Sequence, residues 1–250
     1  MSEQVVVITG ASTGIGAVLA QQLAREGMSV VLVARRAEAL RDMAETCGPQ
    51  ALAVVADMTV RADVQRTVAE ALARFGHIDV WVNNVGQGIT RMPTALTDDD
   101  LDDMMRVNVK SALYGMQEVL PHFTARGRGH VINVSSMLGR VPMAVFRSAY
   151  NGAKHFLNAL TANFRDEVTA THPDIQFSLV SPGVVFTEFG LRAKHGGVDS
   201  RAIPQGQTPE AVAAVIAAVI ASRKPDVYTR AGARQMVLAY FNSVGEDPAA

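Results

Sequence analysis

Residues 5–20 read "VVVITGASTGIGAVLA": five β-branched residues, a glycine-rich turn, then the small and apolar residues of a helix start. A strand running through such a turn into a helix is how a βαβ unit begins. The glycines fall at Gly10, Gly14 and Gly16, which is not the GxGxxG spacing of the general dinucleotide fingerprint. Two uses of them stay open. They let a helix pack tightly on its strand, or they let a pyrophosphate approach the backbone N–H groups of a helix N-terminus. Their place directly after the first strand favours the second.

Outward from this stretch the alternation continues. "VVLVA" (30–34), "LAVVA" (52–56), "DVWVNN" (79–84), "HVINVS" (130–135) and "QFSLVS" (176–181) read as buried strands, and "DVYT" (226–229) as a short seventh. Helix-period segments separate them, two of them longer, over roughly 98–125 and 149–170. Near-continuous apolar strands predict a sheet covered on both faces, and regular βα alternation predicts a parallel one. Right-handed crossovers then give an α/β fold: a single-domain, Rossmann-type doubly wound parallel sheet of about seven strands with helices on both faces. Residues 190–207 lack a clear period, and 187–207 is a candidate substrate loop. Residues 245–250 read as a frayed tail.

The chain has 250 residues, is 48% hydrophobic and carries a net charge of −1. It can bury a sizeable core and offers no electrostatic case for nucleic acid or an anionic membrane. Cys47 stands alone, so no internal disulfide is expected and a reducing, cytoplasmic setting is. The start "MSEQVVVITG" lacks the features of a signal peptide. "AVAAVIAAVIA" (211–221) is too short and alanine-rich to span a bilayer and reads as a packed helix. His77, His122, His130, His155, His172 and His195 show no metal-ligand spacing and read as solvated or capping. "TDDDLDDMM" (97–105) lacks the glycine and glutamate of a calcium loop and reads as an acid-rich helix start. No metal site is expected.

The second strand ends "VLVARRAEAL". An acid there would bond an adenosine 2′-hydroxyl, and an arginine would accept a 2′-phosphate. Ala34 offers no carboxylate, whereas Arg35 and Arg36 offer two guanidiniums, unless they are only a solvated pair opening the next helix.

Further along stand "NNVG" (83–86), "RVNV" (106–109), "VINVSSMLG" (131–139), "YNGAK" (150–154) and "SPGVVFT" (181–187). With the glycine turn, and in this order over roughly residues 4–230, the chain resembles the short-chain dehydrogenase/reductase family. The resemblance implies one seven-stranded doubly wound domain, a homodimer or homotetramer, and oxidoreduction between a ketone or aldehyde and an alcohol. It implies Tyr150 as catalytic acid/base and Lys154 as the residue that lowers its pKa and bonds a nicotinamide ribose. Ser136 would orient the substrate carbonyl, with Ser135 facing the other way, and Asn108 would hold a water of the proton relay. Gly10, Ser12, Thr13, Gly14, Ile15 and Gly16 would cradle the cofactor. Asp57 and Met58 would meet the adenine, with Asn83, Asn84 and Gly86 further along. Pro182, Gly183, Val185 and Thr187 would wall the nicotinamide side. With Arg35 and Arg36, NADP(H) is expected over NAD(H). Val85, Thr13, Asn151 and Gly152 depart from common family choices. Tight packing of Gly152 against cofactor or a subunit would explain its helix-propensity cost of about 1 kcal/mol.

The chemistry is legible from spacing too. Residues i and i+4 share a helix face, so Tyr150 and Lys154 point into one space if 149–170 is helical. A phenol with a pKa of about 10 is a poor base at neutral pH, and a nearby cation lowers that value. Small residues at 149, 151, 152 and 153 would leave room for ligands. Met137, Leu138, Met143, Val145, Phe146, Phe186, Phe189 and Leu191 suggest an apolar substrate. Two rivals remain: a non-catalytic nicotinamide-binding regulator, and an enzyme acting on C=C or C=N bonds or on sugar nucleotides.

Overall fold

A computed structural model describes residues 4–245. Each run read as a strand is one: β1 Val5–Thr9, β2 Ser29–Ala34, β3 Ala51–Val55, β4 Val80–Asn83, β5 Gly129–Val134, β6 Ile175–Ser181 and β7 Asp226–Tyr228. They form one sheet, paired in parallel, in the order β3-β2-β1-β4-β5-β6-β7. The order reverses between β1 and β4, and a crevice opens there beyond the strands' C-terminal ends.

Both faces of the sheet are covered, and β1 shows how. Val6 and Ile8 enter one core with Leu19, Leu23, Leu40, Val212 and Ile216. Val5 and Val7 enter the other with Val64, Met116, Val119, Phe123 and Val168. Successive strand residues point to opposite faces, so an all-apolar strand needs helices on both. α1 Gly14–Arg25, α2 Ala37–Cys47 and α7 Pro209–Ser222 cover the first. α3 Arg61–Phe75, α5 Ser111–Arg126 and α6 Ser148–Thr169 cover the second. The 211–221 stretch lies within α7 and packs as expected.

Three segments differ from the sequence reading. The pattern at 98–125 is not one α-helix: α4 Asp98–Met105 passes through a π-turn, Arg106–Lys110, before α5. A π-turn keeps a helical backbone while inserting one residue, so periodicity scarcely reports it. α8 Ala233–Asn242 was not anticipated; its Ala233 and Val237 pack on Met137 and Val141. Segment 187–207 is tethered: Lys194 bridges to Ile89, Gln207 to Val185, and Ser200–Ala202 make a short 3-10 turn. Residues 246–250 of the expected tail lie outside the described residues. None of the described helices is long and apolar enough to cross a membrane.

Candidate active site

At the switch point lies a cleft of about 1690 Å³. Its one end is the glycine turn. Gly10 and Gly14 hold φ of 69° and 60°, left-handed values that a side chain would strain. A Cβ on Gly16 would stand 2.5 Å from the Gly10 carbonyl oxygen and 2.7 Å from Asn84 Nδ2. Gly16 therefore serves close packing of α1 on β1 and does not itself line the cleft. Asn84 staples the turn to the end of β4, its Nδ2 donating to the Thr9 carbonyl at 3.1 Å. No side chain caps the N-terminus of α1. Its first amides are donors without intrahelical partners, beside glycines that admit a close approach. These groups fit a pyrophosphate.

Beyond the turn, the segments that follow β2 and β3 form the adjoining rim of the cleft. Arg36 Nη2 lies across the turn, donating to Ser12 Oγ at 3.2 Å and Thr13 Oγ1 at 3.3 Å. Arg35 is exposed, its Nη1 3.9 Å from Asp57 Oδ2. Asp57 Oδ1 accepts from the Thr59 amide and hydroxyl, which orients the carboxylate. Met58 and Ile15 line the same end.

Ser136, Tyr150 and Lys154 meet at the other end, all buried. Ser136 Oγ accepts from the Leu138 amide at 3.1 Å, while Ser135 donates to Asn158 of α6. Asn158 also donates to the Gly139 carbonyl, so α6 holds the serine turn from both sides. Lys154 Nζ lies 5.7 Å from the Tyr150 ring centroid and donates to the Val134 carbonyl at 3.0 Å. A Cβ on Gly139 would collide with the Lys154 backbone at 2.9 Å, which explains that glycine. Phe189 meets the Tyr150 ring edge-on at 5.6 Å.

The protonation of the pair corrects one expectation. Burial pushes the Tyr150 phenol up to about 12, against the opposing pull of the Ser136 hydroxyl and the Arg147 guanidinium. Burial pulls the Lys154 ammonium down to about 8. In the protein alone, desolvation outweighs the neighbouring cation.

Other residues stand elsewhere than the sequence suggested. Asn83 does not line the cleft: it is buried behind it, accepting from Trp81 Nε1 at 2.7 Å and donating to Asn133 and the Ala112 carbonyl. Asn108 sits in the π-turn one layer back. It accepts from the Gln87 amide at 3.1 Å and donates to the Gln87 and Met104 carbonyls. A Cβ on Gly86, which lies between, would stand 3.2 Å from Asn108 Oδ1 and 3.6 Å from Lys154 Nζ. Gly152 faces open space outside the cleft, and Asn151 donates to the Ala144 carbonyl. Neither makes room in the cleft.

Pro182, Gly183, Val185 and Thr187 do line it, the Thr187 methyl crossing to within 3.4 Å of a Cβ placed on Gly14. So do Met137, Leu138, Met143, Phe146, Phe186 and Phe189, whereas Val145 and Leu191 do not. Missed in sequence were Val198, Ile203 and Met236, and also Arg147, Arg192 and Arg201. The walls are thus mixed rather than apolar. Lone residues of 190–207 and a short C-terminal helix carry no motif.

Two histidines and one aspartate also need correction. His130 is neither solvated nor capping: it is buried with Nε2 2.8 Å from Ser178 Oγ, and burial pulls its pKa down to about 3. Asp100 does belong to an N-terminal capping box with Thr97, yet it is buried as well. His195 Nε2 at 2.8 Å, Arg91 Nη1 at 2.8 Å and Lys194 Nζ at 3.1 Å converge on it. The His195 contact, joined by the Thr97 amide, Arg91 and Lys194, holds its carboxyl well below the usual carboxylate range. This post ties the 190–207 segment to α4.

A family model described as short chain dehydrogenase matches residues 4–195. An uncharacterized oxidoreductase of Staphylococcus epidermidis is 34% identical over 200 residues, covering 78% of this chain and 86% of its own. A short chain dehydrogenase/reductase from Burkholderia phymatum, solved in complex with NAD, superposes with a TM-score of 0.87 over 100% of this chain and 98% of its own. At 23% identity, that likeness speaks for the fold alone. A metagenomic short-chain oxidoreductase in complex with NADP is 32% identical, with a TM-score of 0.75 over 91% of this chain and 97% of its own.

Proposed function

The chain belongs to the short-chain dehydrogenase/reductase family, and from that premise we propose that it is an NADP(H)-preferring oxidoreductase interconverting a ketone or aldehyde with an alcohol. One observation carries this: Ser136, Tyr150 and Lys154 converge at one end of a cleft whose other end is an uncapped helix N-terminus behind a glycine turn. Bound along that cleft, a nicotinamide cofactor would supply or accept the hydride.

The chain's own groups then handle the proton and the geometry. The α1 amides and the turn of Gly10 and Gly14 would hold the pyrophosphate, and Asp57 and Met58 would border the adenine. Ser136 and the Tyr150 hydroxyl face the substrate oxygen, and the phenol, protonated at neutral pH, is the donor for reduction. Lys154 spends one donor on the Val134 carbonyl and keeps others for a ribose and for a developing phenolate. Asn108, through Gln87, shapes the turn behind them. Segment 187–207 is the substrate loop.

NADP preference is supported by Arg35 and Arg36 at the adenosine rim and by the absence of a carboxylate at Ala34. The metagenomic relative crystallised with NADP agrees with it. Homo-oligomerisation through α5 and α6 is part of the same proposal, and the exposed Phe156 on α6 supports it.

The test is a screen of ketones and aldehydes against NADPH and NADH, with Tyr150→Phe beside the unmodified chain. The expected loss of turnover is roughly 10²–10⁴-fold, with cofactor affinity kept. Near-full turnover in Tyr150→Phe would refute the assigned roles.

A further inference from the structure

Resting on that reading, we infer that the Arg147 guanidinium forms an anion-recognition subsite, so that the substrate is a carbonyl compound carrying a carboxylate or phosphate group. Arg147 precedes α6, three residues before Tyr150, and is half-buried against the cleft. Its Nη1 donates to the Ile89 carbonyl at 3.1 Å. Among the described residues that is the hydrogen bond of its guanidinium, and no carboxylate pairs with it. The other arginines near it are differently placed: Arg192 is paired with Glu188, and Arg201 with Asp199 at 2.7 Å. A guanidinium has five donors in a planar fork suited to carboxylate or phosphate oxygens.

The surroundings explain how a guanidinium fits there. A Cβ on Gly88 would meet Arg147 Nη1 at 2.4 Å, and one on Gly197 would stand 3.3 Å from Arg147 Nη2. The two glycines thus admit the guanidinium into the cleft wall, three residues from the phenol assigned to proton transfer. Burial works against the Arg147 charge, and a bound anion would restore the balance.

The experiment compares kcat/KM for keto acids of increasing chain length with their methyl esters, and for a keto phosphate with the matching keto alcohol. A preference for the charged member of about ten- to a hundred-fold, the worth of a charged hydrogen bond, is expected at one chain length. Which anion shows it distinguishes carboxylate from phosphate. Arg147→Gln should bring the acid-to-ester ratio toward one, and Arg147→Lys should keep part of it. Equal kcat/KM for charged and neutral members across the series would overturn the inference. So would an Arg147→Gln chain in which both members fall alike, since Arg147 would then be a strut for the loops. Calorimetric binding of hexanoate and of inorganic phosphate, with and without Arg147→Gln, needs no turnover. If every carbonyl were inert but either anion bound through Arg147, the proposed activity would fail while the subsite stood.

Discussion

Replacing Lys154 with methionine should make the ligand-free protein more stable at pH 7 while abolishing its turnover. Burial takes the Lys154 ammonium from its ordinary 10.5 to about 8. At about 1.4 kcal/mol per pH unit, holding that charge in place costs about 3 kcal/mol. Methionine removes the charge and keeps most of the side-chain volume. The lost charged bond to the Val134 carbonyl takes back about 2 kcal/mol of the gain. The net stabilisation at pH 7 is then about 1 kcal/mol. A group that binds its proton less readily folded than unfolded adds stability as pH rises. The unmodified chain should therefore gain stability between pH 8 and 10.5, the two values for Lys154, and the methionine variant should not. Tyr150 acts in the opposite sense, its pKa raised from 10.0 to about 12, but only above pH 10. Urea unfolding of both chains at intervals from pH 7 to pH 10 measures the gap. The methionine variant should lead at pH 7 and lose that lead toward pH 10. A gap constant with pH would mean that the ammonium is not desolvated, and the electrostatic account of the pair would fall with it.

Four further outcomes are expected. Arg36→Ala and Arg35→Ala should each lower the NADP-over-NAD affinity ratio, together by roughly ten- to a hundred-fold, in fluorescence titrations; equal affinities in the unmodified chain would contradict the preference. Gly16→Ala, whose Cβ would stand 2.5 Å from the Gly10 carbonyl oxygen, should lose about 1–3 kcal/mol in urea unfolding and weaken nucleotide binding. Gly152→Ala, with nothing near its Cβ position, should instead gain up to about 1 kcal/mol. Asp100→Asn should lower Tm at pH 7 and speed proteolysis within 190–207. Because the carboxyl is held below its usual range, its contribution is present above about pH 4 and fades below, so the Tm gap should shrink on acidification.

What could be read from the residues, and what could not, follows from the range of the forces involved. A strand buried on both faces must be apolar throughout, so 5–9, 30–34 and 130–135 stood out within a residue of their true ends. The glycine turn was legible because left-handed φ at Gly10 and Gly14 restricts those positions locally. Asn83 and Asn84 are adjacent in a motif, and only the pleat of β4 decides that one turns into the core and the other toward the cleft. The direction of the Tyr150 shift depends on burial by Phe189 and neighbours distant in sequence, which i, i+4 spacing does not report. Asp100 looked like one acid among five; its three partners, Arg91, Lys194 and His195, come from two other segments. α8 is short, and its packing partners, Met137 and Val141, lie a hundred residues upstream.

The cleft is divided along the chain in a way that bears on how its specificity could be exchanged. Ser136, Tyr150 and Lys154, with the glycine turn, all lie within the segment 4–195 that the family model matches. Val198, Arg201, Ile203 and Met236, which also line the cleft, all follow it. A crossover after residue 195 would exchange this part of the lining in a single recombination event while keeping the proton chemistry and Arg147. One seam such a chimera must respect is the contact of α7 with α1, where Val212 and Ile216 meet Leu19 and Leu23. Others are the pairing of β7 with β6 and the packing of α8 on Met137 and Val141.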